Sequence, residues 1–171
     1  MNATTMQTFT GKLVDLANFT VEDVRLPDIA HALACINRFT GHSVAPYSVA
    51  QHSVMVSRLC DPPDELWGLM HDASEAYLGD VARPLKAMLP DYVALEQHVQ
   101  QTIGKAFGLA WPMPKSVKVA DNRALIAEKR ALMSVEHDWG IEADPVHTPI
   151  NPYCWQQARQ MFENRFKEIV K

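Results

Sequence analysis

The chain has 171 residues, of which 47% are hydrophobic and 21% charged; it is long enough to bury a core without disulfides or a structural metal, and its composition excludes a disordered chain. A formal net charge of -4 offers no general attraction to a polyanion, so a nucleic-acid polymer is not expected as a partner, whereas two or three aimed cations suffice for a small phosphate. No apolar run approaches the roughly 20 residues that span a bilayer, and residues 1–10 lack the basic-then-apolar order of a secretory signal, so the expectation is one cytoplasmic domain over residues 1–171 with no membrane partner.

The first 25 residues mix Thr, Val and Gly around Gly11, and Thr8-Phe9-Thr10 and Leu13-Val14 predict short strands or extended turns. After Pro27 the pattern changes. Ile29, Ala30, Leu33, Ala34 and Ile36 recur at helical spacing and predict a helix over 27–37, with Pro27 and Asp28 in its first turn. Thr40-Gly41-His42-Ser43 reads as a loop. A second helix is expected over 47–60, stopped by Pro62 and Pro63, and a third over 64–79, opening near Asp64 and ending at Gly79. Residues 80–88 form a short segment carrying Arg83, Pro84 and Lys86.

The two longest helical patterns cover 91–107 and 114–136, parted by a turn rich in Gly, Trp and Pro. A Pro-rich surface connection over 144–152 leads to a last amphipathic helix with Trp155, Ala158, Met161, Phe162, Phe166 and Ile169 on its apolar side. The sum is an all-α bundle of about six helices around one core, preceded by a short irregular or β N-terminal segment. Cys35, Cys60 and Cys154 are far apart and form no CxxC pair, so they are expected to be buried small hydrophobes rather than a disulfide frame or a thiolate zinc site.

His71-Asp72 is an adjacent pair inside an otherwise apolar helix, where an unpaired buried carboxylate would cost several kcal/mol. A divalent cation compensates it directly, and an all-N/O ligand set suits Mn, Co, Ni or Zn. His52 lies in another apolar helix, with eighteen residues between it and His71, a separation that lets adjacent antiparallel helices face both imidazoles inward. Asp121, within Val117-Lys118-Val119-Ala120-Asp121, is a further carboxylate among apolar residues. Three helices thus offer four ligands.

That set resembles the HD-domain phosphohydrolases, whose pattern is a His, a later His-Asp pair and a distant Asp. The likeness is most specific to the small YfbR-like 5'-deoxynucleotidases and their phage and prophage relatives, which include dATP triphosphohydrolases. It rests on Ile36-Asn37-Arg38-Phe39, on Tyr47-Ser48-Val49-Ala50-Gln51-His52-Ser53, on HDASEAYLGDVARPLK from His71 to Lys86, and on VKVADNRALIAEKRALM around Asp121, within residues 28–133. It implies His52, His71, Asp72 and Asp121 as ligands of a divalent ion, with Co, Mn or Zn ahead of Mg or Ni.

In that family the Glu matching Glu75 manages the protons of the attacking water or the leaving oxygen, while the ion polarises the phosphoryl group and acidifies the water. Glu75 falls four residues after His71 and three after Asp72, spacings that put all three on one face of a continuous helix. Arg38 matches the phosphate-clamping Arg, and Asp80 a carboxylate near the nucleoside. Phe39 stands where the better-known monophosphatases carry a Trp that packs near the sugar. Arg83, Lys86 and Lys118 are expected to ring the mouth and neutralise further phosphate charge.

The expectation is hydrolysis of the 5' phosphate ester of a deoxynucleoside monophosphate, with release of tripolyphosphate from a dNTP as the alternative, by a homo-oligomer. Related HD domains also cleave cyclic nucleotides and guanosine tetraphosphate, readings that the small size and Asn37-Arg38 disfavour; a nucleotide sensor without turnover is the rival from another class. His137-Asp138 reads as a solvated decoy at a helix end, and His98 and His147 as solvated. For His31 and His42 a structural role outweighs one in the pocket. Trp67, Trp111, Trp139 and Trp155 read as core or interface residues rather than a base-stacking platform, since nothing in their spacing converges on the metal.

Overall fold

The computed structural model describes residues 3–144 and 146–171; Met1, Asn2 and Pro145, the last within the connection expected over 144–152, lie outside them. Among the described residues the chain is mostly helical: α1 (Leu26–Cys35), α2 (Val49–Leu59), α3 (Glu65–Met70), α4 (Glu75–Leu78), α5 (Arg83–Lys86), α6 (Pro90–Ala106), α7 (Lys115–Leu132) and α8 (Trp155–Ile169). Two of these are single turns of four residues, leaving six longer helices.

The N-terminal segment is a hairpin of β1 (Thr5–Gln7) and β2 (Leu13–Asp15), antiparallel with Met6 opposite Val14. Of the strand or extended turn expected at Thr8-Phe9-Thr10, the turn is found, and it begins the reversal. Thr8 N donates to Lys12 O at 2.9 Å, and Gly11 turns the chain at φ 83°, which a residue without Cβ adopts freely. The same segment anchors α1: Thr10 N and Oγ1 donate at 2.6 and 2.9 Å to the buried carboxylate of Asp28 in the first helical turn.

α2 is the central element, packed on α1, α3, α7 and α8, and residues 49–57 are accordingly all buried. Gly68 lets α3 approach it. A Cβ there would meet Cys60 Sγ at 2.8 Å and Ser57 Cα at 2.9 Å, so only glycine admits this separation. The close approach matters because His52 lies on α2 and His71 at the end of α3.

The third expected helix is not continuous. It stops at Met70, passes through a tight turn over 71–74 and resumes as α4. Within the turn the bonds span three residues rather than four: Ala73 N donates to Met70 O and Glu75 N to Asp72 O, both at 3.0 Å. The cause is a side chain inserted into the ladder. Gln100 of α6 donates from Nε2 to Met70 O at 2.7 Å and accepts from Ser74 N at 3.0 Å, and these are the two groups that would pair in an unbroken α-helix. His71 and Asp72 are therefore presented by a turn and Glu75 by the first residue of α4, not by one face of a continuous helix.

α7 ends at Leu132, short of the boundary expected near 136, because its backbone becomes extended at Met133. Residues 133–141 then run without helix back across the end of the bundle.

Candidate metal centre

His52 and His71 meet with their Nε2 atoms 3.2 Å apart. Their other ring nitrogens are already committed: His71 Nδ1 lies 2.8 Å from Gly68 O, and His52 Nδ1 lies 2.8 Å from Glu128 Oε1. A carbonyl and a carboxylate only accept, so each Nδ1 carries the hydrogen, and in the neutral rings each Nε2 presents its lone pair to the same point. Asp72 Oδ2 stands 3.1 Å from His71 Nε2 and 3.6 Å from His52 Nε2, and Asp121 Oδ1 stands 3.3 Å from His52 Nε2.

Four electron-rich atoms thus crowd together with no hydrogen to share among neutral imidazoles and carboxylates, which is the donor set of a cation site. Ligand atoms of His52, His71 and Asp72 all lie within 4.8 Å of one another, so this group can hold a metal ion. Asp121 adjoins it through His52, while its other oxygen, Oδ2, is held by Lys118 Nζ at 2.5 Å and Arg83 Nη2 at 3.4 Å.

The charges reinforce one another. Burial opposes ionisation of Asp72 and of Asp121, but the facing imidazoles overcome it and hold both carboxyls well below the usual range. Burial and the Arg38 charge press the His52 pKa down, and Glu128 and Asp121 outweigh them and bring it to about 9. A proton and a metal ion are therefore competing occupants of the same position.

Arg38 follows α1 and is fixed by its backbone N donating to Tyr47 O at 2.9 Å. Its side chain is buried, with Nε 3.0 Å from Glu128 Oε2 and Nη1 3.7 Å from Asp72 Oδ2. Desolvation works against its charge, and Glu128 and Asp72 more than restore it. Glu128 was absent from the sequence-derived site. It is fully buried, lies seven residues after Asp121 on the same side of α7, and stands among Ala124, Leu125, Ala127 and Leu132. A carboxylate in an apolar stripe, the signal that singled out Asp121, marks Glu128 equally well.

A cavity of about 630 Å³ opens over the ion-binding group, and Arg38, Asp72, Glu75, Asp80, Lys86 and Asp121 all line it. Glu75 is 5% exposed, and its Oε2 has no hydrogen-bond partner among the described residues. Burial, then the neighbouring Asp72 and Asp80 charges, raise its pKa well above the ordinary value and so favour the protonated form. Lys86 Nζ lies 4.0 Å from Glu75 Oε1 and 2.5 Å from Glu96 Oε1. Arg83 and Lys118 stand at the rim with more than half of each side chain exposed.

Phe39, Leu125, Trp139 and Ile141 add apolar lining to the same cavity. Trp139 corrects the expectation that no tryptophan converges on this place. His31 is elsewhere, stacked on Phe9 at 3.8 Å and edge-on to Trp155. His42, His98, His137 and His147 do not line the cavity, and His137-Asp138 is exposed, as expected of a decoy.

The chain matches no family model. It is 37% identical over 169 residues to the uncharacterized protein YfdR of Escherichia coli K12, which covers 96% of this chain and 94% of that protein. It is also 36% identical over 120 residues to an uncharacterized protein of Rhodobacter capsulatus, covering 64% of this chain and 61% of the relative.

Proposed function

The chain belongs to the family of the Escherichia coli protein YfdR, and we propose that it is a metal-dependent phosphohydrolase of the HD-domain type that converts deoxynucleoside monophosphates to deoxynucleosides and phosphate. The observation that carries this reading is the pair of Nε2 atoms, freed by their bonded Nδ1 partners, beside Asp72, which lines one cavity with Arg38 and the buried Glu75. His52, His71, Asp72 and Asp121 would hold a divalent ion, with Co, Mn or Zn favoured over Mg or Ni. Such an ion, when bound, supplies Lewis-acid polarisation of a phosphoryl oxygen and acidification of water.

The chain's own groups do the rest. Arg38, already charged and aligned by Glu128, receives the non-bridging phosphoryl oxygens without reorganising at the moment of reaction. As a water oxygen bonds to phosphorus and the ester bond to the 5' oxygen breaks, Glu75 donates its proton to that leaving oxygen; Lys86, 4.0 Å away, stabilises the carboxylate until the proton shed by the water restores it. Asp80 and Phe39 face the nucleoside end of the cavity. Among the described residues no helix is long and apolar enough to cross a membrane, which accords with a cytoplasmic enzyme.

One observation favours a longer substrate. Arg83 and Lys118 converge on Asp121 Oδ2 at the cavity rim, where they would meet the outer phosphates of a dNTP. The test is product identity after chelation and separate restoration of Mn, Co, Zn or Mg, with each dNMP and dNTP offered. Nucleoside plus inorganic phosphate is expected, and tripolyphosphate would establish the longer substrate. Failure of every metal to restore turnover would overturn the hydrolase reading and leave a nucleotide sensor.

A further inference from the structure

Resting on that reading, we infer that Phe39 and Trp139 form the wall against which the base of the nucleotide stacks, and that Trp139 is the residue that holds a heteroaromatic ring in this cavity. The two rings come from different parts of the chain. Phe39 follows α1, and Trp139 lies in the irregular run beyond α7, yet their centroids are 6.1 Å apart at 56° and both line the cavity. Each has a cation over one face: the Arg38 guanidinium carbon is 5.2 Å from the Phe39 centroid, and Lys129 Nζ is 5.5 Å from that of Trp139.

The backbone beneath Phe39 is a second observation. Phe39 and Thr40 are both left-handed, at φ 58° and 53°, a conformation that costs a non-glycine residue. It is fixed by Gly41 N donating to Arg38 O at 3.1 Å and His42 N to Phe39 O at 2.9 Å. The consequence is an aromatic ring set directly beside the buried Arg38. Trp139 is 40% exposed on a non-helical segment and lines the cavity.

The chemistry of the ligand follows from the lining. Arg38, Arg83, Lys86 and Lys118 with their carboxylates line the cavity together with the apolar Phe39, Leu125, Trp139 and Ile141. Its occupant has an anionic end and a flat apolar end. A sugar phosphate or inorganic polyphosphate leaves the aromatic wall unused, whereas a nucleotide covers both. Stacking is tolerant of base identity because every base has a π-face, so this wall selects for a base rather than for one base.

The test uses Trp139→Ala and Trp139→Phe, with deoxynucleoside monophosphates and 2-deoxyribose 5-phosphate as probes. Trp67, Trp111 and Trp155 do not line the cavity, so nucleotide-dependent quenching of tryptophan emission reports Trp139. Wild type should quench and Trp139→Phe should not. Trp139→Ala should raise KM for the nucleotide about tenfold with kcat little changed, and leave KM for 2-deoxyribose 5-phosphate unaltered; Trp139→Phe should retain most of the affinity. Equal KM values in wild type and Trp139→Ala, or an equal rise for the base-free phosphate, would overturn the proposal while leaving the hydrolase reading intact. Quenching without turnover under any metal would support the wall and remove the hydrolase.

Discussion

Glu128 Oε1 lies 2.8 Å from His52 Nδ1, a contact between two fully buried side chains on different helices that decides which nitrogen of His52 faces the ion-binding group. Because the other oxygen of Glu128 pairs with Arg38, one carboxylate orients both a metal ligand and the proposed phosphate clamp. Glu128→Gln keeps the shape and removes the charge. It should weaken divalent-ion affinity by about 10–100-fold, the usual effect of losing an outer partner of a ligating histidine, as read by calorimetric titration. Wild-type affinity in this variant would show that the contact does not orient His52.

The role proposed for Glu75 is separable from metal binding. Glu75→Gln should lower kcat by about a hundredfold or more, since positioned proton transfer contributes on that scale, and should leave the amount of bound metal unchanged. Elemental analysis beside steady-state kinetics distinguishes this from loss of a ligand. Full turnover by the variant would take the proton-donating role away from Glu75.

Gln100 is expected to matter through backbone groups alone. Gln100→Ala would leave Ser74 N buried and unpaired and Met70 O with Ala73 N alone, at about 1–3 kcal/mol for the orphaned donor. The 71–74 turn would then either unfold locally or close into regular helix, and both outcomes displace His71 and Asp72. Denaturant titration should report the lost stability and metal titration the lost affinity; a variant unchanged in both would mean that the turn is set by its own sequence.

Gly68 is the steric counterpart. Gly68→Ala places a methyl group 2.9 Å from Ser57 Cα, and backbone cannot yield as a flexible side-chain end can. The variant should lose about 1–3 kcal/mol, the scale of overpacking in a close-packed core, measured by thermal or denaturant unfolding. Stability equal to wild type would mean that α2 and α3 separate without penalty.

The ligand positions were legible because His52, His71-Asp72 and Asp121 are polar interruptions of apolar helical periods, and such interruptions are costly unless something compensates them. Glu128 carries the same mark and was legible in principle. The break at 71–74 was not, since helical periodicity runs unbroken through it and the side chain that opens it, Gln100, belongs to another helix. Trp139 was hidden for a related reason: it reaches the cavity on an irregular segment, whose path no periodicity encodes. In the N-terminal hairpin three-residue strands are too short for alternation to fix, and the first strand lies at Thr5–Gln7 rather than Thr8-Phe9-Thr10.

The central claim is that His52 and His71 present two lone pairs to a divalent cation. Calorimetric titration of the chelated full-length protein with Mn, Co and Zn tests it most directly, with His71→Ala titrated alongside. Saturable binding by wild type and its loss in His71→Ala is the predicted result. A chelated wild-type protein that takes up none of the three ions, or a His71→Ala variant that binds them equally well, would contradict it.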